Sequence, residues 1–399
     1  MMRRFLNLVV ECLDTGLYSL RRINLSSDLF YPSATAAEAA MARSEAAIKA
    51  NAEKQTGYKH GFRSLETVAS RLEQLPGALI NFKPSGPYRM SVPSIDLVSL
   101  LGDESKIFWS DTLGLTSLYD ADSHSLMTVP NLTAPKGHGA IPISITRAAA
   151  HGSPVEQSHS LYVMGRMIHR EFGDNCFEEL SYEGGQDVFC ANDLFRGWCS
   201  LPRPPIYKLP NKIDAYTVVG GTIYVSSTTP GIGTYAFDTE IWKWRPAGNW
   251  CLPFSGKAEY VPELKLWIGL SATCPFHLCA SDLSAVDFER PPTVHQTWVD
   301  FDMPKSWSLF QKDLINLGSG RFCVVKMFRS TMTPQGIMGF SDDEDSDDDE
   351  TLDFCDAIRW DFAVLTGIEL VVASPGKLRM LKHMSKYHTF EDYAIRWVL

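Results

Sequence analysis

The stretch Cys-Pro-Phe-His-Leu-Cys at 274–279 places two thiols and an imidazole close together. These are donor types that hold zinc or copper. Cys274, His277 and Cys279 match no common paired zinc spacing, and a structural site would need a fourth ligand from elsewhere. The other histidines, at 60, 124, 138, 151, 159, 169, 295, 383 and 388, form no HxH or HExxH arrangement. The chain has no GxSxG elbow and no GxxxxGK[ST] loop, so neither an acyl-transfer nucleophile nor a phosphate cradle is signalled. Gly318-Ser319-Gly320 opens into a strand pattern, without the helix N-terminus that would hold phosphate. Trp242 and Trp244, two apart, would share one face of a strand. That face is either a stacking platform or, far more commonly, packing between sheets. No catalytic, cofactor-binding or metal-ligating residue is assigned, and no cofactor is expected.

Charge is the sharpest local signal. The net charge is −10, and Asp-Asp-Glu-Asp-Ser-Asp-Asp-Asp-Glu at 342–350 holds eight carboxylates, which leaves −2 for the rest. So dense a like-charge run cannot pack, and residues 341–351 are expected to form a disordered, solvated loop. Ser341 and Ser346 are each followed by acidic residues, as acidophilic kinases require, and phosphorylation would add about −1.5 to −2 charge at each. Two readings stay open: an electrostatic arm for a basic protein partner, or an insertion without a role. No basic stripe suits a phosphate backbone, so no nucleic-acid partner is expected.

The nine cysteines form no CxxC pair and are odd in number, which fits a reducing compartment, cytoplasmic or nuclear. The N-terminus Met-Met-Arg-Arg-Phe-Leu-Asn-Leu-Val-Val-Glu-Cys superficially resembles a signal peptide. Asn7 interrupts its apolar run and Glu11 follows, so it reads as a strand. No apolar run is long enough to span a membrane.

The elements behind these residues are short. Residues 1–33 read as a hairpin whose turn contains Gly16, and as part of the closure of a ring. Residues 34–77 read as a helical insertion. Its first, alanine-rich helix has a Thr35/Glu38 capping box and little apolar face beyond Met41 and Ile48. A second helix over 64–75 carries Leu65, Val68, Leu72 and Leu75 on one stripe and ends at Pro76-Gly77. From 78 to 399 only short strands and turns are expected. An aromatic or apolar strand recurs at Ile107, Leu161, Ile223, Leu266 and Phe322, spaced 54, 62, 43 and 56 residues apart. A second strand ends in Tyr119-Asp120, in Phe237-Asp238 and near Asp282, with Leu126, Trp244 and Phe288 six residues after the aspartates. The aspartate accepts backbone N–H bonds in a tight turn, and the large residue packs the returning strand. An all-strand repeat of this length is the signature of a propeller.

Gly220, Gly221, Tyr224, Phe237, Asp238 and Trp244 occupy the positions of a kelch blade, which the unit resembles. Ser226-Ser227 stand where a second glycine pair would be, so the likeness is degenerate. The phrases FLNLVVE, GLYSLRRINLSSDLFYPS, AEYVPELKLWIGLSA and LINLGSGRFCVVKMF resemble a grass-plant family, domain of unknown function 1618, over nearly the whole chain. That resemblance implies a plant source and a kelch-like propeller, and no activity. The expected fold is all-β, a single β-propeller of about six blades, between five and seven, with a small helical insertion. The expected function is a non-enzymatic, monomeric scaffold that binds a protein through loops on one face. The alternative is an enzyme or small-molecule binder with its site in the channel.

Overall fold

The computed structural model describes residues 2–53, 73–85, 94–147, 157–167, 175–184, 195–206, 212–285, 289–304, 307–332, 358–374 and 377–399. Its strands, in chain order, begin with β1 (Phe5–Cys12), β2 (Tyr18–Asn24) and β3 (Ala78–Phe82). Two helices, α1 (Leu25–Asp28) and α2 (Ala34–Glu53), lie between β2 and β3. Blade I is β4 (Ile95–Leu100), β5 (Lys106–Asp111), β6 (Thr116–Asp120) and β7 (Ser125–Met127). Blade II is β8 (Ile141–Arg147), β9 (Gln157–Met164), β10 (Phe177–Gly184) and β11 (Phe195–Ser200). Blade III is β12 (Ala215–Val219), β13 (Thr222–Ser227), β14 (Gly233–Asp238) and β15 (Lys243–Gly248). Blade IV is β16 (Phe254–Val261), β17 (Leu266–Ser271), β18 (Leu278–Ser281) and β19 (Val294–Trp298). Blade V is β20 (Trp307–Gly318), β21 (Arg321–Met332), β22 (Ile358–Ser374) and β23 (Lys377–Thr389). The last strand, β24 (Tyr393–Val398), pairs with β1, so blade VI has the order β24-β1-β2-β3.

The protein is thus a six-bladed β-propeller made of antiparallel four-stranded sheets. Blades III and IV are also joined by a short parallel contact, Ala215 opposite Gly256 and Tyr216 opposite Lys257. The recurrent apolar strand is the second strand of each blade. There β5 and β13 are buried at every position after the first, because a neighbouring blade covers each face. Six apolar clusters each straddle one blade boundary. Phe108 meets Leu161 and Leu180 between I and II, and Phe177 meets Phe237 and Ile223 between II and III. Tyr224 meets Trp267 between III and IV, and Ile268 meets Phe322 between IV and V. Leu8 meets Met327 between V and VI, and Val9 meets Trp109 between VI and I. Each blade therefore shares its core with two neighbours.

The turns explain themselves chemically. Gly220 and Gly221, at φ 55° and 84°, form the β12–β13 reversal in the left-handed region that glycine tolerates. Asp120 Oδ1 accepts from Asp122 N at 2.9 Å, Asp238 Oδ1 from Glu240 N at 2.9 Å, and Asp282 Oδ1 from Ser284 N at 2.8 Å. Beyond those turns, Tyr119 faces Leu126 and Phe237 faces Trp244 across the ladder. Leu126 is nevertheless 62% exposed, because β7 is an outermost strand with nothing stacked over it.

Several elements depart from the sequence reading. Blade V is built of long strands, up to 17 residues in β22, where short ones were expected. The cap of α2 is Ser33, whose Oγ accepts from Ala36 N at 3.1 Å, and Thr35 lies inside the first turn. This helix rests on β23 through buried Ala37, a Glu38–Arg379 ion pair and Met41 Sδ, 3.3 Å from Lys382 N. The helix expected at 64–75 falls mostly outside the described residues, and Glu73–Leu75 are not helical. No described helix is long and apolar enough to cross a membrane.

Candidate functional site

The sequence candidates do not converge. Cys274 is exposed and Cys279 is buried in β18, where burial pushes its thiol up to about 12 and makes it unreactive. His277 Nδ1 lies 3.3 Å from Asp300 Oδ1, and Asp300 also holds Lys326 Nζ at 2.7 Å. The Lys326 contact is an ion pair without the alignment of a hydrogen bond. Among the described residues no group of three or more His, Cys, Asp or Glu could hold a metal ion.

Trp242 and Trp244 do not share a strand face. Trp242 sits in the β14–β15 turn at φ 55° and is 42% exposed. Trp244 lies in β15, 5.0 Å from the Phe237 ring and 5.8 Å from Phe177 of blade II, and its Nε1 donates to Pro202 O at 2.7 Å. It packs one blade on the next. Tyr224 is buried against blade IV, and Tyr119 lies in the cluster between VI and I. Gly318, Ser319 and Gly320 form the β20–β21 turn, all at positive φ. Ser341 and Ser346, with the whole of 341–351, lie outside the described residues.

The site that the fold builds is the central channel, a cavity of about 1140 Å³ between the innermost strands β4, β8, β12, β16, β20 and β24. We call the end at which the chain enters each inner strand the upper face, and the other end the lower face. At the lower face Glu104, from the β4–β5 turn, anchors the N-terminal segment. Its Oε2 accepts from Arg4 N at 2.8 Å and Phe5 N at 3.2 Å. Arg3 reaches inward from the same segment. Burial holds its guanidinium below the ordinary arginine range against the pull of Glu259 and Glu104, and its Nη1 has no hydrogen-bond partner among the described residues.

Midway along the channel Lys257 and Glu259 form an ion pair. Protein surrounds them, yet they keep 43% and 28% side-chain exposure, because they face open space wide enough for water. Burial opposes both charges, but each partner outweighs it. Lys257 is held above its ordinary value and Glu259, which also feels Arg3, below its own.

Toward the upper face, Arg166 from the end of β9, Lys212 before β12 and Lys312 of β20 line the same cavity. Arg166 Nε donates to Gly139 O at 3.2 Å, and Lys312 Nζ stands 3.7 Å from the centroid of the Phe276 ring. Burial lowers the Lys312 ammonium; Asp313 opposes this, while Arg166 and Lys212 add to it. Burial raises the Asp313 carboxyl against its neighbours Gln311, Arg166 and Lys312. Three hydroxyls of the wall are occupied structurally: Ser99 Oγ donates to Leu100 O at 3.1 Å, Ser144 Oγ to Leu100 O at 3.3 Å and Ser105 Oγ to Asp103 Oδ1 at 2.6 Å. His138, the histidine of the wall, is hydrogen-bonded to none of them. The channel is lined by ionic groups, and its described wall shows no hydroxyl hydrogen-bonded to a histidine. Sequence reasoning missed its cations. Arg3, Arg166, Lys212, Lys257 and Lys312 come from five blades, and nothing in their local sequence marks them.

No curated protein matches the chain. Among solved structures, it is similar to the fission yeast SREBP-SCAP binding domains, at 10% identity and TM-score 0.31, covering 71% of this chain and 63% of that one. It is also similar to BamB from Moraxella catarrhalis, at 11% identity and TM-score 0.26, covering 59% and 70% of the two chains. The Dos1 propeller is similar at 10% identity and TM-score 0.29, covering 60% and 56%. The chain thus spans less than two thirds of the first of these structures, and none of them bears on function. A family model matches residues 3–388, and its number differs from the 1618 that the quoted phrases resemble. The chain belongs to the family of proteins of unknown function designated DUF1668.

Proposed function

We propose that this propeller is a non-enzymatic scaffold that docks a protein partner on its upper face. The observation that carries the reading is a set of exposed apolar side chains on three successive blades there. Leu113 and Leu115 stand in the β5–β6 loop of blade I, Leu13 and Tyr393 in blade VI, and Phe310 near the start of blade V. All are between 38% and 52% exposed. Single exposed apolar residues are ordinary, but a run of them on one rim marks an interaction surface. Elsewhere the exposed Ile241 and Trp242 sit on the β14–β15 turn, while Leu79, Leu126, Tyr260, Val294 and Val372 are scattered over separate strands of blades VI, I, IV and V. β21 ends and β22 begins at the upper face. The acidic run at 342–350, between them in the sequence, would suit a basic segment of the partner. A cytoplasmic or nuclear setting and a plant source belong to the same proposal.

The test is proximity labelling in plant cells, read by mass spectrometry. It compares the intact chain, Leu113→Glu/Leu115→Glu, a deletion of 341–350, and Trp242→Glu as the lower-face control. A reproducible partner set kept by Trp242→Glu and lost in the Leu113/Leu115 variant is the expected result. Equal labelling by all four proteins would reject an upper-face scaffold. A partner lost only in the deletion would move binding to the acidic run alone.

A further inference from the structure

We propose that the upper mouth of the channel is a binding site for a small phosphate-bearing anion, seated among Arg166, Lys212 and Lys312. The site borders the exposed apolar rim at Phe310 but does not depend on the scaffold reading.

The backbone brings two of the cations together. Ile213 N donates to Arg166 O at 3.0 Å, and Met167 and Lys212 form an isolated antiparallel bridge, which stitches blade II to blade III beside the channel. Gly139 O takes only the Nε of Arg166, so its two terminal nitrogens have no partner among the described residues. Lys312 enters from blade V and has only the Phe276 ring beneath it, with no acid within ion-pair distance among the described residues.

The acids nearby offset this group only in part. Asp214 lies 3.7 Å from Lys212, but its Oδ2 is committed to Thr228 N at 2.8 Å and Thr228 Oγ1 at 2.7 Å. Asp313 spends Oδ2 on Gln311 Nε2 at 3.1 Å, and burial disfavours its charge. Three cations thus share a partly desolvated mouth with one facing carboxyl, in a protein whose net charge is −10. Desolvated, like-charged donors repel one another, and an anion placed between them relieves both penalties.

The donor geometry selects the class of anion. A free guanidinium fork and two separate ammonium groups call for at least three acceptor oxygens on one centre. A phosphate supplies these, whereas a carboxylate supplies two. Arg3, deeper in the same cavity with an unpartnered Nη1, offers a further donor to a ligand that extends down the channel.

The test is calorimetric titration of the full chain with inorganic phosphate and pyrophosphate, with succinate as the carboxylate comparison, in about 0.15 M salt. The expected result is saturable one-to-one binding of pyrophosphate, weaker binding of phosphate and none of succinate. Arg166→Gln/Lys312→Met should weaken pyrophosphate at least about tenfold, while Arg379→Gln, outside the channel, should not. If the double variant fails to fold, Lys212→Gln, at a half-exposed position, should still weaken binding several-fold, and saturating pyrophosphate should raise the melting temperature of the wild type. No heat with pyrophosphate, unchanged affinity in Lys212→Gln, or succinate binding as tightly would overturn the proposal. These outcomes are read without any protein partner, so they leave the scaffold reading standing or falling on its own labelling experiment.

Discussion

His383 Nδ1 accepts the Tyr31 N–H at 3.1 Å, which leaves Nε2 to carry the proton donated to Glu369 Oε2 at 3.1 Å. His388 is fixed in the other tautomer: Nδ1 faces Glu73 O at 3.0 Å, and Nε2 is buried without a partner. Burial lowers both imidazoles below their ordinary 6.5, outweighing Glu369 for one and the Glu73 carbonyl for the other. Between the lowered values and 6.5 the unfolded chain binds more protons than the folded one. Their stabilisation is therefore complete above that pH and is lost as pH falls through the lowered values. The melting temperature should drop from about pH 7 to about pH 5. His383→Gln, which keeps an acceptor for Tyr31 and cannot protonate, should flatten that drop; an unchanged slope would clear His383. A second prediction concerns Lys136 and Glu178, an ion pair buried to 1% and 0% side-chain exposure, with Thr133 N donating to Glu178 at 3.1 Å. Glu178→Gln strands a buried ammonium and should cost about 3–5 kcal/mol in urea unfolding. Adding Lys136→Met should restore part of that, and simple additivity would show that the pair is not coupled. The turn aspartates were legible in the sequence because the backbone N–H groups that donate to them lie two or three residues on. Lys136 and Glu178 lie 42 residues apart, and no local pattern announces their meeting.

The elements test the same distinction between local and distant information. Trp242 and Trp244 look equivalent in sequence, since a strict strand alternation would put them on one face. The chain instead turns at Trp242 in the left-handed region, and only Trp244 enters the sheet. Phe177 of β10 is fully buried, 4.9 Å from Phe237 across the boundary between blades II and III. Phe177→Ala should cost about 3–5 kcal/mol, and Trp242→Ala should stay within about 0.5 kcal/mol of wild type, both measured by chemical denaturation. Equal losses would mean that the indole at 242 also packs. The second strands were readable because cover on both faces makes them continuously apolar. The length of β22 was not, because nothing in a strand pattern dictates where pairing stops; the partner strands β21 and β23 decide that. Helix α2 was read as an insertion with little apolar face. It docks with little more than Ala37, Met41 and one ion pair, too small a stripe for periodicity to reveal.

At the scale of the molecule, closure joins the two ends of the chain. β24 supplies the innermost strand of blade VI and β1 to β3 supply the other three, with Leu8 opposite Val398 and reciprocal bonds between Asn7 and Leu399 at 2.9 and 3.0 Å. The N-terminal hairpin could be read from the sequence as part of the closure. Which end provides the inner strand could not, because the division depends on how many strands precede the first complete blade. The channel was illegible for a related reason: its cations converge only after the ring has closed. A linear array of repeats loses stability roughly one interface at a time when shortened. Here each blade shares a core with two neighbours, and removing β24 damages two boundaries at once, since Ile395 and Val398 belong to one cluster and Trp397 packs on the other. Deleting residues 392–399 should therefore abolish the cooperative unfolding transition of the whole chain and make all blades protease-sensitive together. Supplying a peptide spanning 389–399 should restore part of the protection, since β1 would regain its edge partner. A truncated chain that kept a sharp transition, with only blade VI cut by protease, would show that five blades hold without the seam. The ring would then be an assembly of independent interfaces rather than one folding unit.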